Sequence, residues 1–477
     1  MAELRAGTHT GNVLETEAAR IQQDEQRGLV SAQRRDQAAL RALTTVVREK
    51  RFQLPTLRGR VAFWVAAAIA FLVIAANTAV SPLYRLYQAQ FGFSATTLTA
   101  LFTFYILVLL VTLLLFGSLS DYVGRRRVIA AGLAADAVGC GVFLIAHDVG
   151  PLFAGRALQG VAVGLVSGAA SAALLDLRPD GGAAPLVSSA AVTGGQALGA
   201  IGASVLAQYA PAPTHLVWWL LLGAFVIGIP AVLAMKEPGR ARPGAVASLR
   251  PHVSVPREAR GAFAVAAPGL AGVWALGGFY LSLGPSLAAQ LLHSENLLWG
   301  GVLIFLLTGV GAAASAAFRK AYPPTVMLGG CLALVAGALV TFAAVETTTP
   351  AVLFVGTAVA GLGFGPAFMG AFRSVVVLAP SDDRAGLITA VYMVGYLATG
   401  IPAVIAGIAT SQYGLHDTAL VYSLIVAALA AAGVGSFLVR RMGAAGGPER
   451  GTCYPDPPPG PCTAPRCLPT APALSRS

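Results

Sequence analysis

Apolar residues in this chain come in long unbroken runs, without the alternation of a half-buried strand or the three-and-four spacing of a surface helix. The runs fall at 61–80, 97–116, 129–147, 152–174, 184–207, 216–235, 262–283, 297–318, 325–345, 351–373, 385–410 and 418–438. Each is close to the roughly 20 residues that a helix needs to cross a bilayer. The pattern predicts an all-α polytopic membrane protein with twelve transmembrane helices. Polar residues collect between the runs and at both ends. Residues 1–60 read as a disordered or loosely surface-bound extension, helix-prone around 38–47. The only long connection between runs is 236–260, which carries Pro238, Pro243, Pro251 and Pro256. It divides the chain into a 61–235 bundle and a 261–440 bundle of six helices each. Residues 441–477 are rich in Gly, Pro and Ala and read as a disordered tail.

The halves repeat. Gly160, Gly164, Pro179, Gly194 and Gly199 recur as Gly361, Gly365, Pro380, Gly395 and Gly400 at a constant offset of 201. A constant offset is what a duplicated six-helix unit leaves behind. Charge then orients the bundle. The net charge of +11 belongs to the segments of one side, which hold 30 of the 32 Lys/Arg. Arg85 and Arg156 are the exceptions. The positive-inside rule therefore places both termini in the cytoplasm, and this distribution argues against nucleic acid as a partner. With 56% hydrophobic and 11% charged residues, the composition is far from that of soluble domains, which carry about 25% charge. Because the first apolar run begins near Val61 and is long enough to span, it does not read as a cleaved signal peptide. Cys140 and Cys331 lie inside runs and Cys453, Cys462 and Cys467 in the tail with no histidine nearby, so neither a disulfide framework nor a metal site is expected.

One turn interrupts the runs with four charges: Gly117-Ser118-Leu119-Ser120-Asp121-Tyr122-Val123-Gly124-Arg125-Arg126-Arg127. Its glycines permit a tight reversal, and its charges fix where the flanking helices stop. The pattern G-x-L-x-D-x-x-G-R-R resembles the loop between the second and third helices of major facilitator superfamily transporters, with Tyr122 where the family usually has a basic residue. The resemblance covers about residues 60–440. It implies two repeated six-helix halves around a central cavity. It also implies a conformational latch on the cytoplasmic side, made of Gly117, Asp121, Gly124, Arg125 and Arg126 with Asp176 as partner of Arg125. Asp121 would face the start of the eleventh helix near 381–384.

Arg156-Ala157-Leu158-Gln159-Gly160 resembles the R-x-x-Q-G signature of bacterial drug/proton antiporters in this superfamily, where the arginine influences proton binding. The alternative for Arg156 is an anchor snorkelling to the outer surface. Helix 5 carries Gly194-Gly195-Gln196-Ala197-Leu198-Gly199-Ala200-Ile201-Gly202, similar to G-x-x-x-G-P-x-x-G with Ala200 in place of proline. The small residues Gly160, Gly164, Gly195 and Gly199 also serve helix packing in any tight bundle. The usual acid of helix 1 is missing, and Asn77 is that run's strong polar group. Asp136 is the one carboxylate well inside a run. Helix-end counting sets it about 14 Å from Arg156 in depth, and it serves either as a proton carrier or in a local hydrogen bond.

Polar and aromatic candidates for the cavity are Asn77, Tyr105, Gln159, Gln196, Tyr280, Phe364 and the i, i+4 pair Tyr392 and Tyr396. So few charges suit a small amphipathic solute. The resulting expectation is a monomeric, proton-driven exporter in a bacterial cytoplasmic membrane, with no cofactor and with a small-molecule substrate and the bilayer as partners. An importer or uniporter is the alternative within the class. A non-transporting membrane sensor would need a further folded domain, and an enzyme would need a polar catalytic cluster.

Overall fold

The computed structural model describes residue 57 and residues 59–177, 184–238, 253–380 and 383–445. The expectations for residues 1–56, 58, 178–183, 239–252, 381–382 and 446–477 lie outside the described residues. Every predicted run forms a helix: α1 (Arg60–Phe91), α2 (Ala95–Phe116), α3 (Arg125–Leu144), α4 (Val149–Leu177), α5 (Ala184–Tyr209), α6 (Leu216–Leu233), α7 (Arg257–Ser282), α8 (Leu298–Ala317), α9 (Pro323–Glu346), α10 (Pro350–Val376), α11 (Arg384–Tyr413) and α12 (Leu415–Ala445). Among the described residues these are twelve helices long and apolar enough to cross a membrane. Two short helices, Leu119–Val123 and Gly284–Leu292, turn the chain before α3 and after α7. Large apolar side chains remain uncovered along the spans, among them Ile227 at 72% and Ile405 at 60% exposure. In water such a surface would aggregate, whereas hydrocarbon is its natural solvent.

Helix ends differ from the run ends in a physically simple way. α1 continues past Pro82 to Phe91, well beyond 80. The proline removes one backbone donor, a loss that a packed transmembrane helix tolerates. α3 ends at Leu144 and α4 starts at Val149, because the polar pair His147-Asp148 takes the turn between them.

The described residues divide into two compact units. The first takes 57–78, 108–195 and 209–238, and the second takes 79–107, 196–208 and 253–445. The bounds cut through α1, α2 and α5. In the first unit, α3 lies against both α4 and α6. Phe143 stacks on Trp218 with ring centroids 4.2 Å apart. Leu57 donates to Ala234 O at 2.8 Å and accepts from Lys236 N at 3.2 Å, tying the chain before α1 to the end of α6. Close approach depends on small residues here. A Cβ on Gly164 would lie 2.7 Å from Thr112 Cβ, and one on Gly195 would lie 2.6 Å from Phe71 O. Gly160 and Gly199 are also buried.

In the second unit, α9 packs closely on α10, where Gly337 and Gly363 bring backbone to backbone. A hydroxyl–glycine seam joins the first half of α2 to α11. Thr96 Oγ1 donates to Gly407 O at 3.2 Å and exchanges a hydrogen bond with Ser411 Oγ at 2.9 Å, and Thr103 Oγ1 donates to Gly400 O at 3.1 Å. Nearby, Leu297 N donates to Gln208 Oε1 at 2.9 Å and Arg85 pairs with Glu295 at 2.9 Å. These bonds account for segments 79–107 and 196–208 belonging with the later helices.

Candidate functional site

The charged turn forms a connected set of ion pairs. The helix Leu119–Val123 stops at Gly124, whose φ of +108° and ψ of 143° require a residue without a Cβ. The reversal aims Arg125 back at Asp121, with which it pairs, and across at Asp176 on α4, with Nε 3.2 Å from Oδ2. Its Nη1 also donates to Ser120 Oγ at 2.7 Å. Arg126 donates to Leu233 O at 3.0 Å and Met235 O at 3.1 Å, satisfying carbonyls at the end of α6. Glu237, which the sequence reading passed over, completes the set. Its Oε1 accepts from Arg125 N at 2.6 Å and Arg126 N at 3.4 Å, so a carboxylate caps the N-terminus of α3 where the helix dipole favours negative charge. The set thus gathers Gly124, Arg125, Arg126, Asp121 and Asp176. Gly117 lies at its edge, directly after α2.

A second polar group lies in the interior of the same unit. Arg156, only 2% exposed, donates through Nη1 to Asn77 Oδ1 at 2.9 Å, Asn77 O at 3.3 Å and Gln159 Oε1 at 2.7 Å. Gln159 Nε2 in turn donates to Ala76 O at 3.1 Å. The arginine therefore holds α4 to α1 rather than snorkelling to a surface. Asn77, a separate candidate in the sequence, thus joins the Arg156 and Gln159 of the R-x-x-Q-G stretch in one cluster.

Asp136 is 1% exposed, and neither carboxyl oxygen has a hydrogen-bond partner. The alternative of a local structural hydrogen bond is thereby corrected. Gly132 faces Ala162 and Val166, and Gly139 faces Gly155 and Leu158. This register sets Asp136 level with the region of Gly160, about one helical turn, or 6 Å in depth, from Arg156. The expected 14 Å was too long because the α3–α4 turn comes three residues earlier in the chain than the run ends imply, α3 stopping at Leu144 and α4 already starting at Val149. Arg156 acts electrostatically on Asp136, and Asp136 on Cys140 one turn along its own helix.

In the second unit, Tyr392 and Tyr396 do come together, and their setting is an aromatic cluster. Trp274 of α7 lies with ring centroids 4.8 Å from Tyr396, 6.2 Å from Tyr392 and 5.8 Å from Phe368. Phe372 adjoins Phe368 at 5.7 Å and Tyr392 at 6.2 Å. Gly395 makes the slot for the indole, since a Cβ there would stand 2.5 Å from Trp274 Cε2. Tyr105 of α2 is within electrostatic reach of Tyr396. Trp274, Phe368 and Phe372 were missed, although Phe364, Phe368 and Phe372 recur every four residues and so share a face of α10.

Two other candidates have packing roles. Tyr280 is 1% exposed and its hydroxyl is bonded to Thr357 at 3.0 Å and Thr341 at 3.2 Å, which engages it in the contact of α7 with α9 and α10. Phe364 fills the contact of α7 with α10, against Gly277, and Gln196 is half-buried on α5.

Twelve spanning helices with a charged inter-helix turn, a buried arginine cluster and an aromatic cluster define a polytopic membrane protein built around interior polar chemistry. The chain belongs to the Major Facilitator Superfamily, whose sequence model matches residues 64–401. Among its relatives, a puromycin resistance protein of Streptomyces alboniger is 33% identical over 148 residues, covering 30% of this chain and 29% of that protein's length. Two solved structures share the fold. The peptide transporter POT in complex with sulfate is 14% identical with a TM-score of 0.64, covering 82% of this chain and 97% of that one. The human organic anion transporter MFSD10 is 17% identical with a TM-score of 0.56, covering 78% and 99%. Family membership makes the protein a multi-pass membrane transporter, and not an enzyme.

Proposed function

We propose that the protein is a proton-coupled exporter of small amphipathic compounds, working by alternating access in a bacterial cytoplasmic membrane with both termini inside. The carrying observation is Asp136, a fully buried carboxyl without a hydrogen-bond partner, one turn from an arginine that is engaged elsewhere. With its proton, Asp136 is neutral and tolerated among apolar neighbours. Without it, the bare charge costs several kcal/mol unless a cation turns toward it. Arg156 is that cation, and turning it draws the guanidinium away from Asn77 and Gln159. Proton release therefore competes with the bonds that hold α4 to α1, which is the differential contact a coupled transporter needs.

The aromatic cluster around Trp274 supports an amphipathic substrate, because ring faces bind planar apolar groups and Tyr392 and Tyr396 add hydroxyls. The relative named for puromycin resistance favours export, drug efflux being one route to resistance. The absence of an acid from α1 is the observation behind the other reading, an importer or uniporter. An efflux assay with a library of fluorescent amphipathic compounds, in a host stripped of its own pumps, separates the two. Export lowers accumulation and a protonophore abolishes the effect. Raised accumulation, or efflux indifferent to the protonophore, contradicts the proposal.

A further inference from the structure

A cavity of about 340 Å³ lies where α9 begins, α10 ends and α11 begins, lined by Pro323, Phe372, Arg373, Val376, Val377 and Arg384. Its chemistry is divided. Phe372, Val376, Val377 and Pro323 supply an apolar wall, while Arg373 and Arg384 are exposed guanidinium groups on the same opening. Arg373 Nη1 donates to Arg319 O at 2.8 Å, which orients the side chain and uses one of its five donors. Arg319 and Lys320 are exposed in the neighbouring α8–α9 turn, and Asp383, half-buried at the start of α11, is the acid among the described residues of these turns. Positive charge prevails at the opening.

We infer that this cavity binds the phosphate headgroup of an anionic phospholipid. Three observations select a lipid over a free anion. The lining residues occupy the first and last turns of membrane-spanning helices, which is headgroup depth. The surrounding surface is apolar and uncovered: Phe318 is 51% exposed, Tyr322 55%, Val377 47% and Leu378 37%. Acyl chains can lie along it. The Lys/Arg distribution assigns this side to the cytoplasm, the leaflet whose anionic lipids are drawn to basic pockets between helices. The volume suits a phosphate with its glycerol, leaving the chains outside, and a guanidinium fork matches two phosphate oxygens at once. Because Arg373 and Arg384 belong to the ends of consecutive helices, an occupied site would clip α10 to α11.

The test uses the full-length protein purified from bilayers of phosphatidylcholine with and without phosphatidylglycerol. Bound lipid is counted by mass spectrometry after detergent washing, and thermal melting is followed on adding each lipid. Wild type should retain phosphatidylglycerol in preference to phosphatidylcholine and melt higher in its presence. The double variant Arg373→Gln/Arg384→Gln should lose about tenfold in retention, the scale of two solvent-exposed ion pairs, together with the melting shift. Arg373→Lys/Arg384→Lys keeps the charge and should retain part of both. Since the melting shift is read within each variant, a lower starting stability does not mimic the loss. Equal retention of the two lipids, or an undiminished shift in the glutamine variant, would overturn the inference. Displacement by inorganic phosphate with no preference between lipids would replace the lipid with a free anion, and so overturn it too.

Discussion

Replacing Gly124 by alanine strikes the charged turn at its most constrained point. The native φ of +108° with ψ of 143° is a region essentially confined to glycine, and forcing another residue into it costs about 1–3 kcal/mol. The new Cβ would also stand 2.7 Å from Glu237 Oε2. To make room, the carboxylate must withdraw from Arg125 N and Arg126 N, forfeiting a helix cap worth about 1 kcal/mol. Together the local cost is about 2–4 kcal/mol, or roughly 30- to 1,000-fold in the opening equilibrium at about 1.4 kcal/mol per decade. Hydrogen-exchange mass spectrometry on the purified transporter reads this directly. Amides of 117–127 should exchange at least about thirty-fold faster in Gly124→Ala, while those of α9 and α10 stay unchanged. Glu237→Gln keeps the shape and dilutes only the charge, so it should accelerate exchange by under about tenfold. Exchange in Gly124→Ala within about threefold of wild type would refute both the strain and the cap.

With the native cysteines replaced, a cysteine introduced at Ser118 should resist an impermeant maleimide in intact cells while one at Thr348 is labelled; the reverse would invert the topology. Trp274→Ala should weaken binding of aromatic substrates by about tenfold, measured by equilibrium dialysis, because it removes the ring against which Tyr396 and Phe368 pack; unchanged affinity would detach the cluster from recognition. Tyr280→Phe should lower stability by about 1 kcal/mol while leaving substrate affinity alone, its hydroxyl being committed to Thr341 and Thr357. A large loss of affinity would return Tyr280 to the binding site.

The span count was legible because hydrocarbon allows little choice: a run of apolar residues near the bilayer's thickness must be a helix. Residue-by-residue signals worked where chemistry is local, as with the Gly124 reversal and the pairing of Arg125 with Asp121 and Ser120 a turn or so away. What failed depends on register between helices. Asp136 and Arg156 looked distant because their separation was counted from run ends, and a shift of three residues at each of two ends moves the result by about 9 Å. The threonine partners of Tyr280 were not legible because an aromatic hydroxyl in a span reads alike whether it meets a solute or a pair of threonines. Trp274, at the centre of the aromatic cluster, carries no periodic signal on α7. Only the slot opposite Gly395 makes it a hub. Glu237 was missed because it follows its helix in a segment that reads as linker, although its partners are at the start of α3.

If Asp136 carries the coupled proton, Asp136→Asn keeps the shape of the side chain while deleting the titratable group on which uphill transport depends. In proteoliposomes with an imposed pH gradient, the variant should bind substrate and exchange it downhill as wild type does, yet fail to concentrate it. The same variant should also lose the pH dependence of transport. Uphill accumulation by Asp136→Asn equal to that of wild type under the same gradient would contradict the account.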